Sequence, residues 1–222
     1  GGAGTDEIDY STDAAAGGEA GVTGDLSQGT ATDGFGDSDA LSNIENITAT
    51  DEADQLTGSA AANIILGKAG DDVIAGLEGA DQIDGGAGDD SILGGEGADQ
   101  IDGGLGADTI GGGTGDDAIA GGAGDDVIAG LEGADQIDGG LGADQIDGGL
   151  GADAILGGEG DDSILGNAGA DQIDGGAGVD FILGGEGDDI IQGNAGDDYI
   201  VGGDGADTID GGAGTDEIDY ST

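Results

Sequence analysis

The sequence predicts an all-β fold, a parallel β-solenoid in which two nine-residue units make one coil. Residues 67–219 divide without insertion or deletion into seventeen units of the form GGXGXDXUX, where U is a large aliphatic residue. Glycine holds the first and fourth places, aspartate the sixth and isoleucine the eighth in every unit. The chain also has 58 glycines and no proline, unlike a domain with a thick packed core. A period this strict indicates stacked repeats that bury their apolar faces against one another.

Each unit divides into a turn half and a strand half. Glycine at the first, second and fourth places allows positive φ and a close approach to a neighbouring backbone. Places seven to nine are predicted to form a short strand, in which the eighth side chain points inward and its two neighbours point outward. Two units then make a coil of 18 residues, and successive coils form two parallel sheets that face each other across columns of isoleucine.

The charge of the chain limits its partners. Its 222 residues include 51 acidic side chains, the single cation Lys68 and no histidine, for a net charge of −50. Self-repulsion of this size would keep the bare chain expanded. It argues against nucleic acid and against an anionic membrane, because both are polyanions. No apolar run is long enough to span a membrane, so membrane insertion is not expected. The expected counter-charge is a small cation.

The turn halves supply ligands for such a cation. Stacked sixth-place carboxylates would repel one another, and carbonyls of the glycine-rich turns point into the same gap. Oxygen ligands without nitrogen or sulfur select Ca²⁺ over transition metals, and Mg²⁺ is disfavoured because it retains its waters. A calcium ion between each turn and the turn two units on would give about 15 sites along seventeen turns. Fifteen divalent ions would bring the net charge from −50 to about −20.

The chain outside the array predicts a modular organisation. Residues 1–12 and 211–222 both read GGAGTDEIDYST, which indicates a 210-residue module of a tandem array; two ends with related repeats in a single protein are the alternative. Five segments follow: the end of a preceding repeat block (1–12), an irregular spacer with short strands (13–39), degenerate transition coils (40–66), the regular array (67–219) and the start of the next spacer (220–222). The transition coils keep the inward aliphatic residue but lose the glycines, so weaker cation binding is expected there.

A small carboxylate cluster lies in the spacer. Asp33, Asp37 and Asp39 occur in a glycine-containing loop. They lack the spacing of an EF-hand loop and its closing glutamate. A solvated turn and a dedicated calcium site both remain open for this cluster.

The units GGAGDDVIA and GGEGADQID resemble the calcium-binding nonapeptide repeats of RTX proteins. This resemblance implies a right-handed parallel β-roll with Ca²⁺ between successive turns, type I secretion and folding outside the cell. Segments such as GDSDALSNIENIT resemble spacers of large bacterial RTX-type adhesins and surface-layer proteins. Carried over by position, the calcium carboxylates are the seventeen sixth-place aspartates: Asp72, Asp81, Asp90, Asp99, Asp108, Asp117, Asp126, Asp135, Asp144, Asp153, Asp162, Asp171, Asp180, Asp189, Asp198, Asp207 and Asp216.

The residue inventory predicts that the chain is not an enzyme and has no catalytic residues. No histidine or cysteine is present for nucleophilic catalysis, and the residues around Lys68 lack the pattern of a phosphate-binding P-loop. The predicted function is a calcium-dependent structural module of an extracellular surface protein, adhesin or fibre. The alternative is the calcium-dependent secretion domain of an RTX enzyme or toxin, whose catalytic part would lie upstream.

Outward residues of the array predict two unlike faces. Odd-numbered units present several apolar residues, including Phe181, Leu183, Tyr199 and Val201, whereas even-numbered units present mainly glutamine and aspartate, with exceptions on both sides. Neutral drift with β-propensity explains this pattern as well as a lateral contact surface does. The expected partners are therefore calcium ions and other copies of the chain joined end to end, with side-by-side contact through these four residues as a further alternative.

Overall fold

The chain forms two facing parallel sheets in a computed structural model. The structure describes residues 1–13, 17 and 20–219. The predicted start of the next spacer at 220–222, and the spacer positions 14–16, 18 and 19, lie outside the described residues. No helix in the described part of the chain is long and apolar enough to cross a membrane.

One sheet has eleven strands. Its order is β1 (Glu7–Asp9), β5 (Asn46–Thr48), β7 (Ile64–Ala69), β9 (Gln82–Ala87), β11 (Gln100–Leu105), β13 (Ala118–Ala123), β15 (Gln136–Leu141), β17 (Ala154–Glu159), β19 (Gln172–Ala177), β21 (Ile190–Ala195) and β23 (Thr208–Asp210).

The other sheet has thirteen strands. Its order is β24 (Glu217–Asp219), β22 (Tyr199–Asp204), β20 (Phe181–Glu186), β18 (Ser163–Ala168), β16 (Gln145–Leu150), β14 (Val127–Glu132), β12 (Thr109–Thr114), β10 (Ser91–Glu96), β8 (Val73–Glu78), β6 (Gln55–Ser59), β2 (Thr23–Asp25), β3 (Thr30–Thr32) and β4 (Ser38–Ala40).

The register follows the 18-residue coil. Ile74 of β8 lies opposite Ile92 of β10, and Ile83 of β9 lies opposite Ile101 of β11. The eighth-place isoleucines from Ile74 to Ile200 are at most 3% exposed and form the core between the sheets. The predicted all-β fold of parallel stacked coils is therefore confirmed, with odd-numbered units in the 13-stranded sheet and even-numbered units in the 11-stranded sheet.

The strands are longer than the predicted three residues. A typical array strand such as β10 has six residues, from place seven of one unit to place three of the next. Its ladder with β8 pairs places seven to nine, passes over the first-place glycine and resumes at Gly95 and Glu96. The glycines suggested a turn, but the backbone at places one to three stays extended enough to pair. Only places four to six therefore form the turn.

The glycines serve two different purposes. The second residue of every array unit has φ between 67° and 125°, including the non-glycine residues Lys68, Leu77 and Leu131. The first-place glycines are not among the positive-φ residues. They are required because of space, since a Cβ on Gly130 would lie 2.5 Å from the carbonyl oxygen of Gly148 in the next coil.

The amino-terminal end of the solenoid has its own arrangement. β1 pairs in parallel with β5, and β2 pairs in parallel with β6, so the stacking extends beyond the array. β2, β3 and β4 form an antiparallel meander at the edge of the 13-stranded sheet. Tyr10, Val22 and Leu56 are buried here, so this end has a more varied core than the isoleucine columns.

Candidate metal centre

The sixth-place aspartates form two buried columns at the turns. From Asp72 to Asp198 each is at most 2% exposed. Each column is held by a repeated hydrogen bond in which one backbone N–H donates to the carboxylate 18 residues on. The N–H of Asp117, for example, donates to Oδ1 of Asp135 at 2.9 Å. One carboxylate oxygen of each residue is therefore used in linking successive coils.

The second carboxylate oxygen has no partner. Oδ2 is buried and accepts no hydrogen bond in fifteen described aspartates: Asp72, Asp81, Asp90, Asp99, Asp108, Asp117, Asp126, Asp135, Asp144, Asp153, Asp162, Asp171, Asp180, Asp189 and Asp198. A buried carboxylate oxygen without a donor or a cation is strongly unfavourable. This regular set of unsatisfied atoms is the clearest chemical feature of the molecule.

A backbone carbonyl faces each of these oxygens. The position that a Cβ on Gly67 would take lies 2.4 Å from Oδ2 of Asp72 and 2.5 Å from the carbonyl oxygen of Gly85. The same pair of acceptors surrounds Gly130, where Oδ2 of Asp135 and the carbonyl oxygen of Gly148 converge. Two acceptors without a donor between them repel each other, and a cation that binds both removes that repulsion.

Burial changes the acidity of the columns. It raises the pKa of Asp72 to about 7, to which the nearby carboxylates of Asp54, Asp90 and Asp71 contribute by repulsion. Burial likewise raises the pKa of Asp108 and of Asp144 to about 6. The hydrogen bond from the preceding coil opposes this shift but does not cancel it. Ionised carboxylates in these columns therefore destabilise the fold unless a cation neutralises them.

The donor set fits a hard cation. It consists of carboxylate and carbonyl oxygens, which suit Ca²⁺ and not the metals that prefer nitrogen or sulfur. In the described residues no three acidic, histidine or cysteine side chains meet in one place. Backbone carbonyls would therefore have to complete the coordination, and first-place glycines such as Gly85 and Gly148 present them.

The comparison with protein families agrees with this chemistry. The chain matches the family described as RTX calcium-binding nonapeptide repeat (4 copies) at residues 39–74, 48–83, 75–110, 111–146, 147–182 and 183–218. The chain belongs to this RTX repeat family. RTX repeats bind Ca²⁺, and the ladder of buried aspartates fits that property. A search of curated proteins finds no match to the chain.

The last two RTX units differ from the others. Asp207 and Asp216 are partly exposed, and neither is among the fifteen aspartates with a buried, unpartnered Oδ2. Their Oδ1 atoms still accept hydrogen bonds from the backbone of Asp189 and Asp198. The predicted metal residues therefore divide into fifteen enclosed positions and two at the open end of the RTX array.

A second aspartate column in the RTX turns was missed by sequence reasoning. Where the fifth place is aspartate, its Oδ1 accepts a hydrogen bond from the fifth-place N–H of the next coil. Ala107 donates to Asp89 at 2.9 Å, and Ala143 donates to Asp125 at 2.9 Å. These bonds run opposite to those of the sixth place. The recurrent DD pairs of the sequence were the available signal. They were not sufficient, because the donor and the acceptor of each bond are 18 residues apart and meet only when the coils stack.

The other charged residues singled out from sequence do not gather into a metal site. Oδ1 of Asp33 accepts hydrogen bonds from the backbone of Phe35 and Asp37, which closes its own turn. Asp39 accepts a hydrogen bond from the Tyr10 hydroxyl at 2.9 Å. This arrangement favours the structural turn over a dedicated calcium site. Lys68 is at the end of β7, not in a turn, and its amine pairs with Asp51 on the surface.

Proposed function

We propose that this chain is a calcium-dependent structural module of an extracellular bacterial surface protein, adhesin or fibre, and that it folds on binding calcium after secretion. The observation that carries the proposal is the regular set of fifteen buried, unpartnered Oδ2 atoms. A solenoid whose coils are linked by bound ions requires such a ligand atom in every turn, whereas catalysis at a single site does not.

The sixth-place aspartates would hold the ions. Each enclosed carboxylate faces a carbonyl of the unit two places on, so an ion bound there links successive coils and neutralises the repulsion between them. We assign about 15 ions to the array, one for each enclosed aspartate. They would lower the net charge from −50 to about −20. Calcium binding and folding are then one process, because the ligands converge only in the folded coils.

The calcium concentration differs between the cytosol and the outside of the cell, so folding coupled to calcium binding would depend on where the chain is. Cytosolic calcium is too low for weak sites, so the chain would stay unfolded before export. External calcium in the range of about 10⁻⁴ to 10⁻³ M suits the sites of extracellular modules. The identical twelve residues at positions 1–12 and 211–222 support modules joined end to end. In agreement, β1 and β24, which belong to these copies, both lie at the edge of a sheet.

Calcium titration of the stripped protein tests the proposal. Circular dichroism should change cooperatively from coil to β as calcium is added, because each ion completes a contact between neighbouring coils. Magnesium at the same concentration serves as the control and should leave the coil spectrum. A β spectrum that is already complete in chelator would contradict the proposal.

Lateral association through the 13-stranded sheet is a further part of the proposal. Phe181 and Tyr199 stack on the outer surface with ring centroids 5.5 Å apart, beside Leu183 and Val201. Elsewhere on this face Leu93 and Leu131 both approach Gly111, which adds the second-place leucine to the apolar surface. The 11-stranded sheet instead exposes mainly glutamine and aspartate at places seven and nine, although five large apolar residues of this sheet are also exposed: Ile64, Leu105, Leu141, Leu156 and Ile190.

Charge substitution tests the lateral surface. The double variant Phe181→Asp and Tyr199→Asp should reduce self-association in calcium, because it adds charge at the centre of the apolar contact. Light scattering at saturating calcium measures this, and Gln82→Glu with Gln100→Glu on the opposite sheet is the matched control. Equal association of both double variants and the parent protein would exclude this surface.

A further inference from the structure

In two units of the transition coils, residues 40–66, protein donors and acceptors satisfy the sixth-place side chain. In the unit 49–57 the sixth-place residue is Asp54, which is 3% exposed. Its Oδ2 accepts a hydrogen bond from the Thr50 N–H at 2.8 Å, and the Thr50 hydroxyl lies 3.0 and 3.1 Å from the two carboxylate oxygens. Its Oδ1 also accepts the N–H of Val22. Both oxygens of Asp54 therefore have protein donors, unlike those of the array.

The next unit replaces the carboxylate by an amide. The sixth-place residue of unit 58–66 is Asn63, which is 2% exposed. Its Oδ1 accepts the Ser59 N–H at 2.7 Å, and its Nδ2 donates to the carbonyl oxygen of Glu45 at 2.6 Å. Glu45 is 18 residues earlier, so the amide links one turn directly to the turn of the preceding coil. In the array the enclosed sixth-place aspartates cannot make this bond, because Oδ2 stands in place of the amide nitrogen and has no hydrogen-bond partner.

The second place of each unit separates the two kinds of turn. Thr50 and Ser59 occupy this place in the transition coils and are not among the positive-φ residues. In both units the second-place N–H points to the sixth-place side chain. In every array unit the second residue has φ between 67° and 125°, and Oδ2 of the enclosed aspartates has no donor. A serine or threonine at the second place, without positive φ, therefore supplies the hydrogen-bond donor to the sixth-place side chain that Oδ2 in the array lacks.

The surroundings of the transition coils also favour folding without an ion. Ile47, Leu56 and Ile65 are at most 1% exposed, and Val22 and Tyr10 are buried with them. Residues 1–66 contain eleven of the 58 glycines, so ordering them costs less backbone entropy per residue than ordering the array. This part therefore has a buried apolar core and, among its described residues, no buried carboxylate oxygen without a hydrogen-bond donor.

From these contacts we infer that the transition coils fold without calcium and form the template on which the calcium-loaded array grows. The hydrogen-bond ladder passes directly into the array, since Asp54 N–H donates to Oδ1 of Asp72 and Asn63 N–H donates to Oδ1 of Asp81, both at 2.7 Å. The preformed coils thus position the first carboxylate of each column. The inference rests on the proposed function, in which the array itself requires calcium.

Hydrogen exchange of the full chain tests the template. In chelator the amides of β5, β6 and β7 should exchange at least about tenfold more slowly than those of β9 to β22, which should exchange like an unfolded chain. Calcium should protect all of them. Uniformly fast exchange in chelator, with protection restored by calcium, would overturn the template and leave the proposed function intact. Uniform protection in chelator would overturn the proposed function, and with it the distinction on which the template depends.

Two substitutions test whether the hydrogen bonds of Asn63 and Thr50 allow the transition coils to fold without calcium. Asn63→Asp removes the amide that donates to Glu45 and creates an array-like carboxylate, so the transition coils should lose protection in chelator and regain it in calcium. Thr50→Val removes the hydroxyl donor to Asp54 at nearly constant volume and should lower protection in chelator. Thr57→Val is the matched control, because no hydrogen bond of its hydroxyl is found in the described structure. Wild-type protection of Asn63→Asp in chelator would overturn the inference.

Discussion

Replacing Gly130 by alanine is expected to be among the most destabilising single changes in the array. The new Cβ would lie 2.4 Å from Oδ2 of Asp135 and 2.5 Å from the carbonyl oxygen of Gly148. Neither atom can move easily, because the Asp135 carboxylate accepts the Asp117 N–H and the backbone around Gly148 belongs to the ladder between β14 and β16. Overpacking against such neighbours costs about 3 kcal/mol. The urea midpoint of unfolding at saturating calcium should be lower than in the parent protein, and fewer calcium ions should be bound per chain.

Gly111→Ala is the matched control for Gly130→Ala. Gly111 also lies in an array strand, but its Cβ would meet only Leu93 Cδ1 at 3.2 Å and Leu131 Cδ1 at 3.9 Å, the ends of flexible exposed side chains. Alanine in a strand is favoured over glycine by about 0.5–1 kcal/mol, so the midpoint should stay equal or rise slightly. Similar midpoints for both variants would mean that the space beside the first-place glycine is not required. Midpoints are compared because solenoids can unfold in parts.

Acid is expected to replace calcium in folding the array. The pKa of Asp72 is raised to about 7 and the pKa of Asp117 to about 6, whereas the same groups titrate near 3.8 in the unfolded chain. At a pH between 3.8 and these raised pKa values, the folded calcium-free chain therefore binds more protons than the unfolded chain. Its stability is greatest below the unfolded pKa and falls as the pH rises through the folded pKa. Lowering the pH from about 7.5 to about 5 should therefore convert stripped protein from coil to β.

Circular dichroism of calcium-stripped protein, with the chelator removed beforehand, checks the acid prediction. Protons and calcium both stabilise the folded chain, because each neutralises the same buried carboxylates. The calcium concentration at the folding midpoint should therefore fall on acidification. A chain that remains coil at about pH 5 but folds with calcium at neutral pH would show that buried ionised carboxylates do not limit the calcium-free fold.

The nine-residue period was sufficient to predict the parallel sheets, the 18-residue coil and the inward isoleucines. It was not sufficient for the strand ends, because glycine at places one to three is compatible with a turn and with a strand. Pairing such as Gly95 opposite Leu77 depends on a neighbouring coil that the local sequence does not contain. The fifth-place hydrogen bonds were missed for the same reason, since Asp89 and Ala107 meet only after the coils stack.

The sequence by itself determined the architecture and the type of ion, because a strict period imposes one repeated geometry and the only abundant ligands are oxygens. Only the tertiary structure decided which of those oxygens have partners. Asp54 and Asp72 occupy the same place in their units, yet Oδ2 of Asp54 receives donors from Thr50 whereas Oδ2 of Asp72 receives none. The difference depends on backbone conformation and on contacts between coils, and it separates buried carboxylates whose two oxygens both have protein donors from those in which one oxygen has none.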